Sequence, residues 1–140
     1  MGAYEAFIAA KRHSSSDHGF DPIFMPDCAF DFQCEIISRA VRKGRVGVFA
    51  DTGLGKTLIE IAIAENVARY TGKRVLILTP LAVAFQFIDE AERIGVEGVT
   101  HTKDGKSLSR ITVCNYERLH LLNPSDYECV VLDESSILKN

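Results

Sequence analysis

The stretch Val46-Gly47-Val48-Phe49-Ala50-Asp51-Thr52-Gly53-Leu54-Gly55-Lys56-Thr57 decides how the rest of this chain is read. An apolar β run empties into a glycine-bearing turn that ends Gly-Lys-Thr and opens a helical pattern. Backbone N–H groups can curl around an anion only where side chains do not obstruct them, and Gly53 and Gly55 leave that room. Lys56 adds a positive charge for β- and γ-phosphates, and Thr57 a hydroxyl able to ligate Mg²⁺. The helix beginning here points unsatisfied N–H groups and its positive dipole end the same way. The stretch therefore reads as a phosphate-binding loop, with Thr52, Gly53, Leu54, Gly55, Lys56 and Thr57 holding the nucleotide. Ala50 stands where such loops usually begin with Gly.

Downstream of the loop, residues 58–70 are apolar around most of a helix circumference, as expected of a helix packed on a sheet, and Gly72 ends them. Val75-Leu76-Ile77-Leu78-Thr79 is a continuous apolar run, the pattern of a fully buried parallel strand, stopped by Pro80. Residues 82–94 predict a helix with Val83, Phe87, Ala91 and Ile94 inward, closed by Gly95. A short strand over 96–101, a polar turn through Lys103-Asp104-Gly105-Lys106, a strand at Ile111-Thr112-Val113-Cys114 and a short helix over 116–122 follow. The last strand, Cys129-Val130-Val131-Leu132, runs into Asp133-Glu134. Strands alternating with helices predict an α/β fold with a mainly parallel sheet and helices on both faces. Ligands of such sheets sit at the carboxyl ends of strands, where the loop, Thr79, Asn115 and Asp133 all fall.

Upstream, residues 31–43 put Phe32, Ile36, Ile37, Ala40 and Val41 on one helical face, with Asp31 as candidate N-cap and Gly44 as terminator. Arg39, Arg42 and Lys43 favour the negative end of that helix dipole. Gln33, in the first turn, carries an amide able to pair a donor and an acceptor with the edge of adenine, with Phe20 or His18 as stacking partners; the alternative is a solvent-facing first-turn residue. Residues 1–29 read as an arm rather than a second domain: a short amphipathic helix over 4–12, then a segment held extended by Gly19, Pro22 and Pro26. The Lys11-Arg12-His13 cluster reads as a solvated helix end.

Composition sets the outer bounds. With 140 residues, 46% hydrophobic and 25% charged, the chain suits one globular domain. A net charge of −3 leaves no whole-chain electrostatic footprint for nucleic acid, so such binding has to come from a local surface. No apolar run approaches the roughly 18 residues of a membrane span, and the N-terminus lacks a signal-peptide layout, so a cytoplasmic protein without a membrane partner is expected. Cys28, Cys34, Cys114 and Cys129 form no Cys-x-x-Cys pair and read as buried free thiols rather than a disulfide frame or a zinc site.

Asp133-Glu134 completes the nucleotide site. A carboxylate at a strand end can hold Mg²⁺ while its neighbour orients a water for attack on the γ-phosphate. Lys56, Asp133 and Glu134 are thus the catalytic candidates, and Thr57 and Asp133 the metal-binding ones.

With these segments in place the sequence resembles the superfamily 2 helicases and DNA translocases, in particular Swi/Snf-like and phage-encoded helicase-like proteins. Phe30-Asp31-Phe32-Gln33 is similar to the family's adenine-reading glutamine motif, residues 50–57 to motif I, and Asp133-Glu134-Ser135-Ser136 to motif II. Thr79-Pro80-Leu81 resembles motif Ia and Asn115-Tyr116-Glu117 motif Ib, segments that in the family touch the sugar-phosphate backbone of nucleic acid. For Thr79 a strand-end cap, and for Asn115 a turn residue, account equally well for the residue type. The resemblance implies an ATP- and Mg²⁺-binding first RecA-like domain over residues 30–140, a three-layer P-loop fold preceded by an arm over 1–29. It also implies nucleic acid, DNA rather than RNA, contacted through Thr79, Pro80 and Asn115, and a second RecA-like domain in cis or in trans, in a bacterial or phage-infected cell. Motif II commonly continues Ala-His or Ala-Asp, whereas Ser135-Ser136 follow here. The 140 residues stop after motif II, so alone they are expected to bind ATP but turn it over poorly. The competing expectation is a helicase-like protein that binds ATP, nucleic acid or a partner without turnover. No Asn-Lys-x-Asp tetrapeptide of a GTPase occurs.

Overall fold

The centre of the molecule is β1 (Val75–Thr79), five successive residues buried on both faces. The computed structural model describes residues 19–43, 56–102 and 109–132. Within them lie α1 (Asp31–Lys43), α2 (Lys56–Thr71), β1, α3 (Ala84–Arg93), β2 (Val99–His101), β3 (Ile111–Asn115) and β4 (Cys129–Leu132). Short 3₁₀ helices occupy Leu81–Val83, Tyr116–Leu121 and Pro124–Asp126. The expected helix over 4–12, the strand leading into the phosphate-binding loop and the polar turn after residue 102 lie outside the described residues.

The four strands are ordered β2-β3-β1-β4 and every pairing is parallel. Val75 pairs with Ile111 on one side and Cys129 on the other, so β1 is clamped along its length. The pleat sends alternate residues to opposite faces. Val75, Ile77, Ile111, Val113 and Val131 join the larger core with α1, α2 and α3. Leu76, Leu78 and Cys114 join a smaller one with Leu119, Leu122 and Tyr127. Three layers result, with α-helices on one face and the 3₁₀ segments between β3 and β4 on the other.

Element ends differ from the sequence expectation in instructive ways. Phe30, not Asp31, is the N-cap of α1: its carbonyl accepts the Cys34 N–H at 2.9 Å, and its own N–H donates to Gln33 Oε1 at 2.8 Å. That is the return half of a capping box, with Gln33 in the third helical position. The single helix expected over 82–94 is divided, because after Pro80 the chain tightens through Leu81–Val83 before α3 begins. Gly95, at φ +80°, ends α3 as expected: its N–H donates to Glu92 O and that of Val96 to Ala91 O, a Schellman closure. The helix expected at 116–122 is 3₁₀.

Residues 19–29 of the arm pack against α1 and α2. Phe20 N–H donates to Val41 O at 3.1 Å, and the Phe20 ring stacks on Tyr70 at 4.0 Å. A Cβ on Gly19 would lie 1.8 Å from Arg42 O, so only glycine fits against the end of α1. Arg42 and Arg39, read above as helix-end charges, also pair with Asp21 and Glu35. Of the cysteines, Cys114 is buried and Cys34 partly so, whereas Cys28 is exposed, contrary to expectation; all three are free thiols. Cys28 lies on the outer side of the Pro26–Ala29 turn, where its sulfur accepts from Arg93 Nη1 at 3.6 Å.

Candidate functional site

Lys56 and Thr57 are the first two residues of α2, both half-buried, so the last two positions of the expected loop stand at the N-terminal, positive-dipole end of a sixteen-residue helix. This geometry suits an anion and adds a cation and a hydroxyl to it. Thr52, Gly53, Leu54 and Gly55 lie outside the described residues, as do Asp133 and Glu134. The strand that precedes the two acids in sequence is described as far as Leu132, which pairs with Leu78, one residue before Thr79.

Gln33 is not the solvent-facing residue that the alternative reading required. It is 4% exposed, and its amide oxygen is held by Phe30 N–H. The side chain is thereby orientated before any ligand arrives. Phe30 and Phe32 flank it on the surface as a near-parallel ring pair, 6.1 Å between centroids. Phe20, one of the two expected stacking partners for a base, already has a ring face on Tyr70. His18, the other, lies outside the described residues.

Thr79 and Asn115 are direct partners at the carboxyl ends of β1 and β3, both buried. Asn115 Nδ2 donates to Glu117 Oε2 at 2.5 Å, while its buried Oδ1 has no hydrogen-bond partner among the described residues. A phosphate oxygen, being an acceptor, would compete with the Glu117 carboxylate for that amide donor. Asn115 occupies the N-cap position of the following 3₁₀ helix without capping it through its side chain. Pro80, extended at φ −63° and ψ 146°, turns the chain from β1 into Leu81–Val83. At the same sheet edge His101 ends β2, its ring tilted against the exposed Phe85 at 5.0 Å.

The sequence profile of the DEAD/DEAH box helicases matches residues 30–139, which spans the capping-box glutamine, α2, all four strands and both acidic positions. The chain belongs to that family. Searches of the curated proteins and of the solved structures returned no match. Membership makes this DEAD/DEAH box domain an ATP-using helicase module, and the all-parallel, three-layer sheet agrees with a RecA-like P-loop domain. Among its described residues no helix is long and apolar enough to cross a membrane, and no group of His, Cys, Asp and Glu could hold a metal ion.

Two residues of this helicase domain escaped the sequence reading. Glu65, 3% exposed, receives Arg69 Nε at 2.7 Å and Arg110 Nη2 at 2.6 Å, and Arg110 also donates to Glu97 O. Asn66, fully buried, grips the arm: its Oδ1 accepts from Ile23 and Phe24 N–H, and its Nδ2 donates to Phe24 O and Ala62 O. The available signal was an Asn in the interior of an otherwise apolar helix, where it is unfavourable unless its amide finds partners.

Proposed function

We propose that this domain is the first RecA-like half of a superfamily 2 motor that binds ATP–Mg²⁺ and couples its hydrolysis to movement along nucleic acid, DNA rather than RNA, together with a second RecA-like domain. The observation that carries the reading is Gly53-Leu54-Gly55-Lys56-Thr57 leading directly into α2, in a chain whose β4 runs on into Asp133-Glu134. The loop amides and Lys56 bind the phosphates. Thr57 and Asp133 are the residues suited to hold Mg²⁺, which when bound would neutralise charge on the phosphate oxygens. Glu134 orients the attacking water and takes its proton. Gln33 reads the adenine edge, its amide already set by Phe30. Thr79, Pro80 and Asn115 line the edge at which a sugar-phosphate backbone would pass, contacts that position a strand without reading its sequence. The likeness to Swi/Snf-like and phage-encoded proteins rests on the run of motifs from Phe30 to Ser136.

The deciding experiment is nucleotide binding followed by melting. ATP–Mg²⁺ at about 100 times its dissociation constant should stabilise the fold by roughly 2.7 kcal/mol. For a domain of this size that is a shift on the order of 5–10 °C. Adenine reading is tested with GTP: wild type should prefer ATP, and Gln33→Ala should lose the preference. Undiminished discrimination in that variant would remove Gln33 from the site.

A further inference from the structure

We infer that Asn66 is a positioning residue for nucleobase recognition, acting through the arm that it clamps to α2. The inference rests on the reading of Gln33 as the adenine-facing residue and extends it to a part of the chain outside every motif.

The argument starts with the amide. A buried Asn side chain offers two donor hydrogens and an acceptor oxygen with two lone pairs, and all are used here. Oxygen takes Ile23 N–H at 2.6 Å and Phe24 N–H at 2.9 Å; nitrogen gives to Phe24 O at 2.9 Å and to Ala62 O at 2.8 Å. Three of the four bonds hold the backbone of a segment 42 or 43 residues away in sequence. The arm between Phe20 and Phe30 has no strand or helix of its own to satisfy those groups. Phe24 adds its ring beneath the Arg69 guanidinium at 4.8 Å, one turn further along α2.

From this clamp the chain has a short path to Gln33. Met25 packs on the core, Pro26 is buried, and the turn from Pro26 closes through Ala29 N–H to Pro26 O at 3.1 Å. The next residue, Phe30, supplies the N–H that holds Gln33 Oε1. At the other end of the linkage, Asn66 lies ten residues along the helix that begins with Lys56, about 15 Å at 1.5 Å per residue. The stiff helix whose N-terminus faces the phosphates therefore also carries the anchor for the segment that orients Gln33. Releasing the arm frees Phe30 N–H and lets the glutamine amide rotate, while leaving Lys56 and Thr57 in place.

The test compares the 140-residue chain with Gln33→Ala, Asn66→Ala, Ile23→Pro and the Gln33→Ala/Asn66→Ala double variant. Ile23→Pro deletes one donor to Asn66 from the arm side, and the Ile23 side chain is half-exposed, so it probes the clamp without emptying the core should Asn66→Ala fail to fold. Affinities for ATP, GTP and pyrophosphate are measured with Mg²⁺, and amide exchange is followed over residues 20–30. Asn66→Ala and Ile23→Pro should speed exchange in the arm and cut the preference for ATP over GTP by about tenfold, the equivalent of one hydrogen bond to the base. Pyrophosphate affinity should not change, and the double variant should discriminate no worse than Gln33→Ala. A released arm with wild-type discrimination overturns the inference while leaving Gln33 as the reader. So does unchanged arm exchange, or a loss of pyrophosphate binding equal to that of ATP. If Gln33→Ala itself discriminates like wild type, the reading of Gln33 falls, and this inference with it.

Discussion

Lys56 and Cys114 are opposite cases of what one side chain does in this fold. Lys56 sits half-buried at the start of α2, and its proposed work is on the ligand's phosphates. Lys56→Ala should therefore abolish the ATP-induced melting shift in a variant that still folds; an equal shift in wild type and variant would take the phosphate-binding loop out of the mechanism. Cys114 is wholly internal, on the 3₁₀ face of the sheet beside Leu76 and Leu78. Burial pushes its thiol up to about 11, with Glu117 adding to the rise and Arg118 opposing it. The neutral thiol's contribution to stability is then complete below the ordinary thiol value near 8.5, and is lost as the pH climbs toward 11, because the unfolded chain ionises first. Urea midpoints at rising pH should fall across that window, less steeply in Cys114→Ala. At pH 8 a thiol reagent should label the exposed Cys28 at once and Cys114 only on unfolding, with mass spectrometry of the peptides as the readout.

Among the elements, α2 joins most of the others. Glu65 ties it to the start of β3 through Arg110, Asn66 ties it to the arm, and its apolar surface fills the larger core. Glu65→Ala should cost about 1.5–3 kcal/mol, the scale for hydrogen bonds to charged groups, and no more, since water can reach the two half-exposed arginines it abandons. Chemical denaturation reads that loss, and a cost near zero would show that the arginines find other partners. The junction of arm and α1 is tighter. Gly19→Ala would drive a methyl into the Arg42 carbonyl, and a backbone atom cannot step aside like a side chain. A destabilisation of about 1–3 kcal/mol, with faster exchange of the Phe20 amide than elsewhere, is expected from such overpacking.

At the scale of the whole molecule, residues 30–139 match a DEAD/DEAH box helicase domain, and charge on a transferring γ-phosphate is ordinarily met by a cation from an opposing domain. Loss of such an arginine costs about 10³–10⁵ in rate. The 140-residue chain assayed alone should bind ATP and hydrolyse it barely above background, with activity restored by a second RecA-like domain added in trans only while Lys56 and Glu134 are intact. Vigorous hydrolysis by the monomer, lost in Glu134→Gln, would require an arginine from within this chain. Binding of single-stranded DNA should be weak, fall steeply with salt and show little sequence preference, because phosphate contacts dominate it. Much of this was legible before any coordinates. The apolar run at 75–79 favoured a buried parallel strand, the 3.6-residue rhythm placed α1 and α3 within a few positions, and the family motifs are runs of adjacent residues that local reading recovers. What only the tertiary structure decided are contacts between segments far apart in sequence. Asp31 looked like an N-cap by residue type, yet Phe30 took the position because Gln33 could reach back to its N–H. Cys28 looked buried by neighbourhood, yet the Pro26 turn carries it outward to Arg93. Asn66 and Glu65 sit in an otherwise apolar helix, and their partners outside it, the arm and Arg110 before β3, lie more than 40 residues away in sequence. Periodicity records which face of an element is apolar. The partner of a buried amide or carboxylate is set by where the rest of the chain lies, and no local pattern encodes that.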